Sequence, residues 1–195
     1  HTFEALAGDV VYLRVHTSGP FEPNLVLVLP DGTPLQSNNV IVPGTLSIWS
    51  EPLPVGGTYK VVVADYEGGE IGNYAIFVER LNNPGNASSL YFGQTHTGMI
   101  ESSVDLGTHS FDAVAGDVIY LLVATSGPFE PNLVLVLPDG IPLQSDLIIV
   151  PGTLAIRSAP LPVGGTYKVL VSDYKGGETG SYEVFLQRLN NPGNT

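Results

Sequence analysis

Apolar and polar residues alternate over many short stretches of this chain, and turns rich in glycine or proline separate the stretches. Strict alternation places every second side chain on one face of a β-strand. The segments VVYLRVH (10–16) and YKVVVAD (59–65) show this pattern. No stretch long enough for a helix carries apolar residues at the helical spacing of 3.6. The pattern therefore predicts an all-β protein with antiparallel strands.

One apolar run is predicted to be a central strand. NLVLVL (24–29) consists of branched aliphatic residues after one asparagine, and Pro30-Asp31-Gly32 follows it directly. Proline presets φ, aspartate accepts hydrogen bonds from nearby backbone, and glycine tolerates positive φ, so this tripeptide predicts a turn. Polar clusters at 32–39, 52–58 and 65–72 are predicted to be turns as well.

The sequence is an internal duplication. Residues 17–32 recur unchanged at 125–140, and residues 1–86 align without a gap on 109–194, with 64 of 86 positions identical. A period of this length fits a whole domain rather than a solenoid repeat. We therefore predict two tandem antiparallel, jelly-roll-like β-sandwiches of about seven to eight strands each. Repeat 1 spans 1–86, a linker and the first strand of repeat 2 span 87–108, and the remainder of repeat 2 spans 109–195.

Differences between the two copies indicate which side chains face inward. Arg14 corresponds to Leu122, a change of polarity, whereas its neighbour Leu13 is retained as Leu121. Because neighbouring residues of a strand face opposite sides, a position that keeps its apolar character is predicted to lie in the core. Four strands give a consistent set of inward positions: Val11, Leu13, Val15, Leu46, Ile48, Tyr59, Val61, Val63, Tyr74, Ile76 and Val78.

The segment Leu90–Thr108 precedes the second copy and has no counterpart before His1. It contains LYF (90–92) and the short apolar stretch GMIE (98–101), which we predict to form the first strand of repeat 2. Repeat 1 is then expected to lack its first strand. A missing edge strand exposes unpaired backbone groups and apolar side chains. We therefore expect repeat 1 to be completed by a preceding part of a longer chain or by another molecule.

Charge and composition restrict the possible partners. Seven basic residues against 19 acidic ones give a formal charge of −12, which opposes binding to nucleic acid. The absence of cysteine excludes disulfides and thiolate metal sites. No apolar run reaches the length of a membrane span, so membrane insertion is not expected. Few lysines and many neutral hydroxyl and amide side chains favour an extracellular or cell-surface protein of a prokaryote.

No motif predicts catalysis. The sequence contains no nucleophile elbow, zinc-protease motif or phosphate-binding loop, and we predict that the chain is not an enzyme and has no cofactor. A calcium ion is the one cofactor considered, because carboxylates cluster in a glycine-rich loop of each repeat. These weak metal candidates are Asp65, Glu67, Glu70, Asp173 and Glu178. Since Lys175 replaces Glu67 in the second copy, a solvated acidic loop is the preferred interpretation.

Several apolar side chains are predicted to form interfaces with a neighbouring unit. Trp49, Tyr12 and Phe77 fall on outward faces, where they would either contact another repeat or stack on a sugar. The replacement of Trp49 by Arg157 argues against the same sugar site in both repeats. The remaining interface candidates come from Leu90–Thr108, which we call the extra segment. They are Leu90, Tyr91, Phe92, Met99 and Ile100. Asn86-Ala87-Ser88 has the spacing of an N-glycosylation site.

An ordered set of motifs resembles the bacterial pre-peptidase C-terminal domain family. The set is Gly98-Met99-Ile100, HSFDAVAGD (109–117), NLVLVLPDG (132–140), LPVGGTYKVLV (161–171) and GSYEVFL (180–186). The resemblance implies a secreted β-sandwich that lies beside proteases or in repeat-rich surface proteins and has no catalysis of its own. Some members of the family bind collagen or calcium. Their calcium ligands lie in an acidic N-terminal linker, whereas the matching region here holds only Glu101 and Asp105.

Two functions follow as hypotheses. The first is a non-catalytic extracellular building block of a stalk or filament, assembled by strand complementation or as part of a longer tandem array. Its partners would be neighbouring repeats of the same chain or further copies in a fibre. The alternative is a pair of accessory domains that target a secreted hydrolase to an extracellular polymer, either collagen or a polysaccharide.

Overall fold

A computed structural model describes residues 1–39, 44–82, 87–147 and 150–190. The chain divides into two compact units, His1–Asn83 and Pro84–Thr195, which we call domain 1 and domain 2. The described residues form strands, turns and irregular segments, which confirms the predicted all-β class. None of these residues belongs to a helix with the length and hydropathy needed to cross a membrane. Asn86 of the glycosylation motif lies outside the described residues.

Domain 1 is a sandwich of two antiparallel sheets. Its strands are β1 (Thr2–Ala5), β2 (Val11–Ser18), β3 (Pro23–Val28), β4 (Pro34–Asn39), β5 (Thr45–Trp49), β6 (Gly57–Asp65) and β7 (Asn73–Arg80). The first sheet has the order β1-β6-β3-β4, and the second has the order β5-β2-β7. Buried side chains of both sheets, such as Leu13 of β2 and Leu25 of β3, pack into one core.

Domain 2 repeats this arrangement and adds strands to it. Its strands are β8 (Ser88–Ser89), β9 (Gln94–Ile100), β10 (Gly107–Ala113), β11 (Ile119–Ser126), β12 (Pro131–Val136), β13 (Pro142–Leu147), β14 (Thr153–Arg157), β15 (Gly165–Asp173) and β16 (Gly180–Arg188). The sheets have the orders β13-β12-β15-β10-β8 and β14-β11-β16-β9. Among the described strands of domain 2, only β8 is parallel to its neighbour, β10.

The predicted central strand and its turn are present in both domains. β3 lies between β6 and β4, and Leu25 and Leu27 are fully buried. The turn closes because the backbone N–H of Thr33 donates to Asp31 Oδ1 over 2.8 Å, while Gly32 adopts a φ of +91° that favours glycine. Domain 2 has the same contact, from the N–H of Ile141 to Asp139 Oδ1 over 3.0 Å.

The Ala-Gly-Asp motif joins the start of one strand to the end of another. Asp9 Oδ2 accepts a hydrogen bond from the N–H of Leu6 and forms an ion pair with Arg80 Nε over 3.0 Å. In domain 2, Asp117 Oδ2 accepts a hydrogen bond from the N–H of Val114 and forms an ion pair with Arg188 Nε over 3.1 Å. Both aspartates are buried. Each of these repeated carboxylates therefore links the turn that contains it to the last strand of its domain.

Two details differ from the sequence-based expectations. The cluster predicted as a turn at 32–39 contains β4, which is mostly exposed and lies at a sheet edge. Pro34 is tolerated as its first residue because an edge position does not require every backbone N–H. The described residues of domain 2 form nine strands, where about seven to eight were predicted. The additional strand is β8, which lies in the predicted linker and pairs with β10 through two residues.

Candidate functional site

The two domains differ most at one sheet edge. In domain 2, β9 pairs with β16 in antiparallel register, from Ile100 opposite Gly180 to Gln94 opposite Leu186. The strand of domain 1 that corresponds to β16 is β7, which pairs with β2 on one side. Among the described residues, no strand pairs with the other side of β7. We call this side of β7 the open edge.

Side chains that face inward from the open edge are incompletely covered. Tyr74 is 42% exposed and Val78 is 36% exposed, whereas their counterparts Tyr182 and Leu186 are 2% and 0% exposed. The inward direction predicted for Tyr74 and Val78 thus does not bring full burial in domain 1. An apolar strand face that remains accessible beside an unpaired edge is a suitable surface for another strand.

A histidine and a tyrosine meet next to this edge in both domains. In domain 1, His1 Nε2 lies 3.0 Å from Tyr74 Oη, and this contact is exposed. In domain 2, His109 Nε2 lies 2.9 Å from Tyr182 Oη, and this contact is buried. The rings cross at 86° and 84°, respectively. Domain 1 therefore already holds the pair in the geometry that it has under cover in domain 2.

Burial shifts the pKa values of both members of the pair in domain 2. Burial, with a smaller contribution from the nearby charge of His96, lowers the pKa of His109 from its ordinary value of 6.5 to about 4. Burial likewise raises the pKa of Tyr182 well above its usual range. His109 is consequently neutral at pH 7. Its Nδ1 lies 2.6 Å from Ser88 Oγ, which makes β8 part of the same hydrogen-bonded chain.

Two glycines make room for the ring of Tyr182. Gly98 lies opposite Tyr182 in the pairing of β9 with β16, and Gly107 begins β10. A Cβ atom on Gly98 would lie 2.7 Å from Cε2 of this ring, and a Cβ on Gly107 would lie 2.6 Å from its Cζ. Both separations are shorter than real Cβ contacts. Any side chain at either glycine would therefore force the ring to move.

The extra segment supplies core residues as well as surface. Leu90 and Ile100 lie in the buried core of domain 2, and Phe92 packs against that core. The guanidinium of Arg188 lies 4.2 Å from the ring centroid of Phe92. Tyr91 and Met99 are more than half exposed. Of the interface candidates in this segment, only these two therefore present most of their surface.

The outward-facing aromatic candidates of domain 1 lie on the sheet that contains the open edge. Tyr12 pairs with Trp49 across β2 and β5, and the two rings lie 5.2 Å apart in an edge-to-face arrangement. Phe77 is on β7, opposite Arg14 of β2. All three aromatic side chains are half-buried. Trp49 also borders a cleft with Leu35 and Pro52.

Carboxylates of the glycine-rich loops organise backbone instead of converging on one point. Asp65 accepts hydrogen bonds from the N–H groups of Glu22 and Glu70 over 3.1 and 3.2 Å. In domain 2, Asp173 accepts the corresponding two hydrogen bonds from the N–H groups of Glu130 and Glu178. Within the described residues, no group of three or more histidine or acidic side chains has the arrangement of a metal site. Glu67, Asp173 and the other calcium candidates thus gain no geometric support.

The loops of the two domains differ by one charge contact. In domain 2, Lys175 Nζ donates to Glu130 Oε1 over 2.9 Å. In domain 1, Glu67 stands at the position of that lysine, and burial together with Glu67, Glu70 and Asp65 raises the pKa of Glu22. Lysine therefore supplies in domain 2 a positive charge that the acidic loop of domain 1 lacks.

A groove of about 520 Å³ lies at the margin of domain 2, beside β8 and β10. Its walls combine aromatic side chains with hydroxyl, amide and carboxylate groups. They include Tyr91, Phe92, Phe111, Gln94, Ser110, Asp112 and Thr166. Asp112 Oδ1 accepts a hydrogen bond from the hydroxyl of Thr166 over 2.7 Å, so this part of the wall is held in place.

Comparison with solved structures finds two chains from bacterial proteins among the similar ones. The pre-peptidase C-terminal domain of a collagenase from Bacillus anthracis is 17% identical, and the match covers 54% of this chain and 98% of that domain with a TM-score of 0.43. PliG from Salmonella Typhimurium, a periplasmic inhibitor of g-type lysozyme, is 20% identical over 54% of this chain and 100% of its own length, with a TM-score of 0.39. Identity this low says nothing about shared function.

Comparison of the sequence itself gives no such likeness. No protein-family model matches it, and no curated protein matches it.

The sequence predicted that repeat 1 lacks a strand, but it did not single out the residues that surround the two tyrosines. His1 and His109 aligned with each other, yet the tyrosines that they contact lie 73 residues further along the chain. Gly98 and Gly107 are separated from Tyr182 in the same way. The one available signal was the glycine within the predicted strand GMIE, because glycine in a strand often marks a close approach of another group.

Proposed function

We propose that this chain is a non-catalytic structural module that joins to other polypeptide segments by adding a strand to the open edge of β7. The observation that carries this proposal is the exposure of Tyr74 and Val78 beside an edge whose counterpart in domain 2 is covered by β9. Backbone hydrogen bonds to β7 would supply affinity, and burial of the two side chains would add about 25 cal/mol per Å².

Repeated strand addition would place modules in an open series. A donor segment on one molecule and an acceptor edge on the next make two different surfaces, and such a contact continues indefinitely unless its rotation closes a ring. This supports a stalk or filament as the assembled form. The acidic surface and the excess of neutral polar side chains favour the extracellular or cell-surface location expected from composition.

An appended donor tests this function. A copy of Leu90–Thr108 attached through a flexible linker after Thr195 should convert the protein into linear polymers, visible by light scattering and negative-stain electron microscopy. Val78→Lys should prevent polymer formation, because an inward-pointing charge blocks strand addition. Glu4→Lys is the matched control, since it adds the same residue at an exposed site of β1.

Monomers in which β7 gains no protection from hydrogen exchange would contradict the proposal. Monomers with a protected β7 would show that the appended donor had folded back onto its own molecule, which still supports strand addition.

A second candidate function is the targeting of a secreted hydrolase to an extracellular polymer. The groove beside β8 and β10 favours it, because aromatic faces together with hydroxyl and carboxylate groups suit sugar rings better than an extended apolar chain. Co-sedimentation with insoluble chitin, cellulose and collagen tests this function. Tyr91→Ala should abolish retention, and retention that persists in this variant would exclude the groove.

A further inference from the structure

We infer that the open edge of β7 selects a donor strand with two glycines nine residues apart, placed to receive the ring of Tyr74. This inference rests on the proposed function and names the kind of polypeptide segment that the edge accepts. The pattern is that of Gly98 and Gly107, which enclose the equivalent ring of Tyr182.

The acceptor is already arranged for such a donor. His1 holds the hydroxyl of Tyr74 at 3.0 Å, much as His109 holds that of Tyr182 at 2.9 Å. The two histidine–tyrosine ring pairs have centroid separations of 5.7 and 5.8 Å. The ring of Tyr74 is therefore directed towards the space where the donor backbone would lie. A donor backbone placed as β9 and the start of β10 are placed in domain 2 would approach this ring where Gly98 and Gly107 approach Tyr182.

One continuous segment can reach both points. In domain 2, β9 runs along β16, and the chain then turns and enters β10, where Gly107 lies opposite Val171 of β15. In domain 1, the described pairing of β1 with β6 runs from Ala5 opposite Gly57 to Thr2 opposite Lys60, and Val63 is the counterpart of Val171. Val63 is half-buried, whereas Val171 is fully buried. A donor of the same form would thus cover β7 and the neighbouring end of β6 together.

The remaining requirement is an apolar residue at the end of the donor strand. Ile100 is 1% exposed and lies in the core of domain 2, and it pairs with Gly180 at the start of β16. The counterpart of Gly180 in domain 1 is Gly72. The selected donor therefore reads glycine, any residue, and an aliphatic residue, then a turn and a second glycine.

Intrinsic strand propensity predicts that valine, not glycine, is preferred in a donor strand. Valine favours strands and glycine weakens them. If the edge recognised only an extended apolar segment, replacing either glycine by valine would strengthen binding. Steric exclusion by Tyr74 predicts that the same replacement weakens binding.

The test uses the full chain and synthetic peptides with the sequence of Leu90–Thr108, measured by fluorescence anisotropy. The unmodified peptide should bind with one site per chain, because β9 already occupies the edge of β16. Peptides carrying Gly98→Val or Gly107→Val should bind about 10- to 100-fold more weakly, as expected for overpacking of a close contact. A Thr95→Val peptide is the matched control and should bind as well as the unmodified one, since Thr95 is exposed.

A variant of the acceptor separates this steric effect from a general effect of glycine. With Tyr74→Ala in the full chain, the Gly98→Val peptide should bind within about twofold of the unmodified peptide. Equal binding of glycine and valine peptides to the chain with Tyr74 would overturn the inference and leave the proposed function standing. Failure of the unmodified peptide to bind at all would overturn the proposed function itself.

Discussion

The outer edges of β7 and β16 are built from closely similar residues, yet they lie in different surroundings. Tyr74 and Tyr182 each contact a histidine through the same ring geometry, but one tyrosine is 42% exposed and the other 2%. The difference comes from β9 and the turn that follows it, not from the edge itself. Domain 2 can therefore serve as an internal reference for what domain 1 would become if a strand were added.

The largest expected effect is a difference between two matched truncations. Tyr182→Ala should destabilise domain 2 by about 3–5 kcal/mol, because a large buried side chain leaves a cavity. Tyr74→Ala should cost domain 1 about 1 kcal/mol or less, since the side chain is already partly in water. Urea denaturation followed by circular dichroism measures both, and Trp49 fluorescence reports domain 1 specifically because it is the one tryptophan. An equal loss of unfolding free energy in the two variants would contradict the difference in burial between Tyr182 and Tyr74.

A smaller loss of stability is expected from a substitution at Gly98, which lies against the buried ring of Tyr182. Gly98→Ala should destabilise domain 2 by about 1–3 kcal/mol, the usual cost of overpacking. The measurement is the urea midpoint of the variant against that of Thr95→Ala, which changes an exposed position of the same strand. The pair Gly98→Ala and Tyr182→Ala should be less damaging together than the sum of the single variants, because the methyl group then enters vacated space. Additive costs would show that Gly98 does not act through Tyr182.

Acid should destabilise domain 2 through its buried histidine. Since the pKa of folded His109 is about 4 against an ordinary 6.5, the unfolded state binds more protons between these values. The stability of domain 2 should accordingly rise with pH across this range and fall as pH decreases below about 6.5, by at most about 1.4 kcal/mol per unit. Denaturation between pH 5 and 7 measures the slope, and His109→Gln should flatten it. An NMR titration of His109 with a midpoint near 6.5 would contradict its burial.

The smallest expected effect concerns the acidic loop. Glu67→Lys should introduce into domain 1 the contact that Lys175 makes with Glu130 in domain 2, and it should lower the pKa of Glu22. NMR titration of the Glu22 carboxyl group at low and high salt measures this change, which should be weaker at high salt. The Glu67→Gln variant is the control for removal of the acidic charge alone. An unchanged titration would show that the two loops differ in geometry as well as charge.

Much of the fold could be predicted from local patterns, because comparing the two copies shows which positions keep their apolar character. Positions such as Leu13 and Ile48 kept their apolar character between copies, and both are buried in the structure. The β4 strand was not predicted because Gln36, Ser37 and Asn38 form it at an exposed edge, where no apolar face is required. Polar composition there resembles that of a turn.

The arrangement around Tyr182 could not be predicted for a different reason. Tyr74 and Tyr182 occupy equivalent positions of the repeat, so the duplication itself does not separate the covered ring from the open one. The glycines that enclose Tyr182 approach it from β9 and from the start of β10. Their role depends on the tertiary meeting of three segments and becomes visible only in coordinates.

The register of a donor strand on β7 is the most direct test of the account. In domain 2, Thr97 lies opposite Glu183 and Thr95 opposite Phe185, which places Thr97 opposite Ala75 and Thr95 opposite Phe77 in domain 1. Since the chain has no cysteine, Ala75→Cys in the full chain can be oxidised with Leu90–Thr108 peptides that carry one cysteine each. We predict a rapid cross-link with the Thr97→Cys peptide and little with the Thr95→Cys peptide. Equal cross-linking of both, or none, would contradict strand addition in this register.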